Sequence, residues 1–182
     1  MNLANNLTLL RILLVPVFVG LLTYYSPGRE YLLTLSLALF IFACLTDALD
    51  GYLARRLRQM TVLGSYIDPL ADKLLLLSGF LCLSFMDHLP LSMRIPAWVT
   101  IPVITRDVII LIGAMIIFIT TGKLKAQPLF IGKATTVLQM TTLLASLCSA
   151  PYPLQLFLFI FTVALTAFCG LQYLRAGSAM LK

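Results

Sequence analysis

The chain has 182 residues, 60% hydrophobic and only 11% charged, with a mean hydropathy of +1.00 and a formal charge of +6. Soluble globular domains carry about 25% charged residues, so composition excludes a water-soluble enzyme, a disordered chain and a disulfide scaffold. What remains is a single integral membrane domain over residues 1–182, all-α in class.

A helix crosses the roughly 30 Å hydrocarbon core in about 20 residues, and by that measure six transmembrane spans are predicted, at 7–25, 32–55, 68–86, 97–120, 130–149 and 154–174. The breakers between them are Ser26-Pro27-Gly28, the polar run Arg56 to Tyr66, His88-Leu89-Pro90, Thr121-Gly122-Lys123 and Pro151-Tyr152-Pro153. The opening Asn2-Leu3-Ala4-Asn5-Asn6-Leu7-Thr8 is polar yet punctuated by apolar residues, and is expected to lie along the interface as a short segment before the first span. The first basic residue is Arg11, inside the apolar run, and no small-x-small site follows it, so the first span is read as retained rather than cleaved.

Six spans put both termini on one side. Arg11, Arg55, Arg56, Arg58, Lys123, Lys125, Lys133, Arg175 and Lys182 fall on that side, against only Arg29 and Arg94 opposite. The positive-inside rule then makes that side cytoplasmic, which in a bacterium means a multi-pass protein of the inner membrane. A basic face at membrane ends suits anionic lipid head groups and gives no reason to expect nucleic acid. Cys44, Cys82, Cys148 and Cys169 lie far apart in apolar segments and read as thiols packed like small hydrophobes. His88 is the only histidine, which argues against zinc.

Acids are scarce, and four of the seven fall between positions 47 and 72. Asp47 and Asp50 are spaced i,i+3 at the end of the second span; Asp68 and Asp72 are spaced i,i+4 at the start of the third. Joined by a short connection, two antiparallel helices would bring four carboxylates to the cytoplasmic ends of both spans. Like charges at a membrane boundary require either raised pKa values or bound cations. Oxygen-only donors select hard divalent ions such as Mg²⁺, Mn²⁺ or Ca²⁺, and a pair of them next to phosphate would stabilise attacking and leaving oxygens together. Gly51, Ala54 and Gly64 leave room beside the acids. Two other readings of the spacing stay open: a helix-end salt-bridge network with Arg55, Arg56 or Lys73, and the lining of a path in a cation or proton transporter.

The second half holds two further polar features. Arg106-Asp107 sits well inside the fourth span, where an isolated charge is costly and should face a cavity. The competing reading is an Arg–Asp ion pair, although adjacent residues on a helix do not face each other. Lys133 opens the fifth span, where a lysine snorkelling to solvent is the competing reading.

The run D-x-x-D-G-x-x-A-R-x8-G-x-x-x-D-x-x-x-D, filled here by Asp47, Asp50, Gly51, Ala54, Arg55, Gly64, Asp68 and Asp72, resembles the signature of the CDP-alcohol phosphotransferase family. Asn6-Leu7-Thr8-Leu9-Leu10-Arg11 also resembles the opening of its phosphatidyltransferase branch. The resemblance implies a six-helix membrane enzyme, acting as a homodimer, in which an alcohol attacks CDP-diacylglycerol and CMP leaves. It implies that Asp47, Asp50 and Asp68 hold two Mg²⁺ or Mn²⁺ ions. Asp72 would complete the metal site and act as the catalytic base. Asp47, Gly51, Ala54, Arg55, Gly64 and Asp68 would surround the CDP-lipid. Arg106 and Lys133 match positions that bind the acceptor's phosphate. Asp107, Thr135 and the stretch from Leu63 to Lys73 look more like cardiolipin synthases of the CDP-alcohol type, so phosphatidylglycerol is the expected acceptor. Glycerol 3-phosphate, the acceptor of phosphatidylglycerophosphate synthases, is the alternative. Loss of a lysine at Thr135 accords with a phosphodiester, which carries one negative charge where a phosphomonoester carries nearly two.

Overall fold

The computed structural model describes the backbone over residues 3–57, 62–121 and 130–180, and side chains over residues 10–46, 73–113, 115 and 131–173. These residues form six α-helices: α1 (Leu3–Thr23), α2 (Tyr31–Leu57), α3 (Val62–Phe85), α4 (Ala97–Thr121), α5 (Phe130–Leu147) and α6 (Tyr152–Met180), with a 3₁₀ turn at Leu91–Met93. Each overlaps a predicted span. Two apolar stretches among the described residues, Leu91–Gly113 and Tyr152–Tyr173, are long enough to cross a membrane; Leu10–Thr23, Tyr31–Thr46 and Lys73–Phe85 are shorter apolar helical stretches.

Three boundaries differ from expectation. The predicted interfacial segment is not a separate element: from Leu3 the chain is already in α1, because nothing between Leu3 and Thr8 breaks a helix. The polar run after position 55 is mostly helical. α2 continues to Leu57 and α3 starts at Val62, since arginine and leucine are good helix formers however polar the stretch. At the far end, α6 runs on to Met180.

The chain divides into two compact units, Met1–Arg94 with Leu147–Ser149, and Ile95–Ser146 with Ala150–Lys182. In the first, α1 packs against both α2 and α3. Arg11, Phe18 and Leu22 line its buried stripe at spacings of seven and four; Ser36, Phe40 and Ala43 line that of α2. The Phe18 and Phe40 rings meet at 5.9 Å between centroids. The breaker at Ser26-Pro27-Gly28 becomes a turn closed by Arg29 N–H on the Ser26 carbonyl at 2.9 Å. Gly28 has φ +97°, the left-handed value that a type II turn demands after proline. In the α3–α4 connection, His88 Nε2 lies 2.8 Å from the Leu22 carbonyl, one of the acceptors left without a helical partner at the end of α1. Arg94 donates from Nε to the Leu89 carbonyl at 3.1 Å and from its terminal nitrogens to the Asp87 carboxylate and carbonyl, so one side chain holds the loop together.

In the second unit, α4 packs on α6, with Trp98 and Phe159 edge to face at 6.4 Å. α5 buries a polar stripe, Thr135, Gln139, Thr142 and Ser146, and its Thr142 hydroxyl lies 2.7 Å from that of Thr162 on α6. α5 ends in a Schellman arrangement: Ser149 takes φ 50° and Ala150 N–H returns to the Ala145 carbonyl at 2.9 Å, with Pro151 following.

Both units bury polar side chains beside their apolar core and expose large apolar ones. Buried positions include Arg11, Ser36, Arg106, Asp107, Gln139 and Gln155, whereas Leu13, Phe42, Leu45, Met115, Phe157 and Leu171 are exposed. Water would make that distribution costly; hydrocarbon favours it, because polar groups find partners only inside the bundle.

Candidate active site

α2 carries Asp47, Asp50, Gly51, Ala54 and Arg55 in its last turns, and α3 carries Gly64, Asp68 and Asp72 in its first. Because both segments are helical, positions 47, 50 and 54 share one face of α2, and 64, 68 and 72 share one face of α3. The spacing argument therefore has the backbone it needs. The side chains of these eight residues lie outside the described residues, and their distances with them. Among the described residues, no group of three histidine, cysteine or acidic side chains comes together. Four carboxylates on two helices would fit a hard divalent ion better than zinc or copper.

Arg11 lies on α1, the helix that packs against both α2 and α3. The sequence reading counted it among cytoplasmic-side cations. The structure buries it to 1% exposure, and it is engaged by partners rather than left alone. A buried guanidinium in an apolar bundle requires anionic or carbonyl acceptors.

The described polar centre belongs to the second unit. Arg106 on α4 is 6% exposed and Asp107 3%. Arg106 Nη1 donates to Asp107 Oδ1 at 2.6 Å, so the two adjacent residues do form an ion pair. The helix-spacing objection fails because an arginine is long enough to curl its guanidinium back to its neighbour's short carboxylate. Nη2 donates to Cys169 Sγ on α6 at 3.0 Å. The Tyr173 ring, one turn further along α6, has its centroid 5.8 Å from Arg106 Cζ. Nε is buried and has no hydrogen-bond partner. An orphan donor on a buried cation is costly, and it is what a site shaped for an absent anion would retain.

Arg106 also reaches the first turn of α5, next to Lys133. A Cβ built on Gly132 would stand 3.3 Å from the Tyr173 hydroxyl and 3.4 Å from Arg106 Nη2. Glycine at 132 thus lets α5 approach the guanidinium closely. Lys133 itself is exposed, as a snorkelling lysine would be, and it follows Gly132 directly. Sequence reasoning found Arg106 and Lys133 but missed Gly132, Cys169 and Tyr173. Gly132 was readable as a small residue beside a cation; nothing in the sequence joins α6 to Arg106.

Apolar helices enclosing buried cations define an all-α membrane protein. A model of the CDP-alcohol phosphatidyltransferase family matches residues 1–168, and the chain belongs to that family, whose members are integral to membranes. It is 42% identical over 106 residues to a Mycobacterium tuberculosis protein named "Probable phosphatidylglycerophosphate synthase", covering 58% of this chain and 48% of that one. The chain thus spans about half the length of the mycobacterial relative. It is 36% identical over 168 residues to a CDP-diacylglycerol–glycerol-3-phosphate 3-phosphatidyltransferase of Bacillus subtilis, covering 87% and 83% of the two chains. A protein of the same name from Yersinia enterocolitica is 31% identical over 184 residues, covering 97% and 95%. The last two names carry glycerol 3-phosphate, and none of the three is named a cardiolipin synthase.

Proposed function

We propose that the protein is a CDP-diacylglycerol-dependent phosphatidyltransferase with glycerol 3-phosphate as acceptor, its six helices spanning the membrane with both termini cytoplasmic. The observation that carries the acceptor is Arg106, a buried guanidinium whose Nε is unmet, in a chain with relatives named for glycerol 3-phosphate. The expectation of phosphatidylglycerol gives way to the alternative. It leaned on the stretch from Leu63 to Lys73, most of whose side chains lie outside the described residues, and on Asp107 and Thr135, to which the structure gives a packing role. Asp107 is bound to Arg106, and the fully buried Thr135 donates its hydroxyl to the Ile131 carbonyl at 2.8 Å.

In this reading Asp47, Asp50, Asp68 and Asp72 hold divalent ions, which supply charge neutralisation to the pyrophosphate of CDP-diacylglycerol. Gly51, Ala54, Arg55 and Gly64 make room for and contact the cytidine diphosphate. Arg106 and Lys133 hold the acceptor's phosphate by charge-assisted hydrogen bonds. The acceptor's hydroxyl oxygen bonds to the lipid-bearing phosphorus, the bond from that phosphorus to the CMP oxygen breaks, and Asp72 takes the hydroxyl proton. An alcohol needs such a base, its own pKa being far above neutrality.

The test is CMP release from CDP-diacylglycerol with either glycerol 3-phosphate or phosphatidylglycerol supplied. Release with glycerol 3-phosphate alone is the expected result, and release only with phosphatidylglycerol overturns it. A transporter would move Mg²⁺ or protons across liposomes with no CDP-lipid present, and would release no CMP.

A further inference from the structure

Cys169 is fully buried on α6, and composition alone makes it a small hydrophobe. The contact to Arg106 shows more. Of the guanidinium's three nitrogens, Nη1 is committed to Asp107 on α4 at 2.6 Å and Nη2 to Cys169 Sγ on α6 at 3.0 Å, leaving Nε without a partner. With the Asp107 anchor alone, the group could swivel about a single hydrogen bond. A second anchor on a different helix fixes its plane. Sulfur is a weak acceptor, so it holds Nη2 without offering a second full charge to compete with an incoming anion.

We infer that Cys169 is a positioning residue for acceptor binding: its sulfur pins Arg106 Nη2, so that the guanidinium presents its Nε–H edge to the acceptor's phosphate. This rests on the reading of Arg106 as a ligand of that phosphate. Preorganisation of this kind lowers the ordering cost of binding and leaves the donor substrate untouched.

The experiment is steady-state kinetics on the full-length enzyme, varying glycerol 3-phosphate and CDP-diacylglycerol in turn. Cys169→Ala should raise the acceptor KM by about three- to tenfold, the scale of one ordinary hydrogen bond, as suits a weak sulfur acceptor, with kcat and the CDP-diacylglycerol KM unmoved. Cys169→Val, which keeps the site filled and apolar, should show the same loss, and Cys169→Ser, which restores an acceptor, should recover most of it. In an Arg106→Ala background, Cys169→Ala should add nothing, because the anchor then has nothing to hold. If Arg106→Ala raises the acceptor KM but neither Cys169→Ala nor Cys169→Val does, the inference is wrong and the reading of Arg106 stands. If Arg106→Ala leaves the acceptor KM alone, the reading of Arg106 falls and takes the inference with it. Equal losses for both substrates, or a Cys169 effect that persists without Arg106, would assign the cysteine to packing alone.

Discussion

The two polar regions of this protein contrast in how their chemistry is encoded. The carboxylates of α2 and α3 are written in one continuous stretch, at spacings that a helix converts into shared faces. The centre around Arg106 is dispersed: Arg106 and Asp107 come from α4, Gly132 from the first turn of α5, and Cys169 and Tyr173 from α6. Arg106 and Asp107 stand out in the sequence as charges inside a span, but Gly132, Cys169 and Tyr173 are unremarkable alone. The lesson is that a cluster of like charges announces itself, since it is intolerable without a ligand, whereas a single buried cation can be satisfied by whatever the fold brings to it.

Breaking the first region should have the largest effect. Asp47→Asn or Asp68→Asn should abolish turnover, because an amide oxygen lacks the charge that holds a divalent ion. Chelation of the wild type should do likewise, reversed by Mg²⁺ or Mn²⁺ in a CMP-release assay. Undiminished activity in chelator would remove the metal from the account.

Asp72→Asn should cost about 10²–10⁴-fold in kcat, the usual worth of a positioned base. If its role as base outweighs its role as ligand, binding of CDP-diacylglycerol and metal should remain near normal, and excess metal should not restore the rate. Recovery at high Mg²⁺ or Mn²⁺ would make Asp72 chiefly a ligand and leave the proton to another acceptor.

The second region should respond more mildly and more selectively. Arg106→Ala should raise the KM for glycerol 3-phosphate by roughly tenfold or more, given the strength of hydrogen bonds to charged groups. Lys133→Ala should do less, about two- to fivefold, because an exposed cation is screened by solvent. In both variants the CDP-diacylglycerol KM should hold. A shift confined to the CDP-lipid would transfer these residues to the donor side.

Gly132→Ala probes the smallest displacement. Its methyl group would press on the Tyr173 hydroxyl and Arg106 Nη2 at 3.3 and 3.4 Å. Both are far ends of flexible side chains and can give by a few tenths of an ångström. The acceptor KM should rise about two- to threefold, with thermal stability changed by less than about 1 kcal/mol. A loss as large as that of Arg106→Ala would mean the guanidinium cannot yield at all.

Much of this is legible in the sequence. Apolar runs of helical length placed six helices whose ends moved by up to six residues, and the eight-residue signature marked the family. Where the sequence reading went astray, the reasons were physical. The stretch from Arg56 to Tyr66 is polar, but polarity at a bundle's edge does not melt a helix made of good helix formers, so α2 and α3 reach further into it than expected. Asp107 was discounted as a partner for Arg106 because ideal helix spacing considers Cβ directions, while a four-bond side chain can fold back on its neighbour. Two positions suggested phosphatidylglycerol, Asp107 by resemblance and Thr135 as a lost positive charge, and in the structure they serve a salt bridge and a helix's own carbonyl.

By itself the sequence determined the things that depend on composition and local period: an all-α membrane protein, a run of helices, and four aspartates at helical spacings on two of them. Only the tertiary structure decided which nitrogen of Arg106 is left over, that Gly132 admits the guanidinium to the start of α5, and that a cysteine 63 positions away receives one of its hydrogen bonds. The reason is that hydrogen bonds within a helix follow from the chain's own geometry. Those between helices depend on the rotation and approach of each one, which are set by the packing of all the residues along their faces.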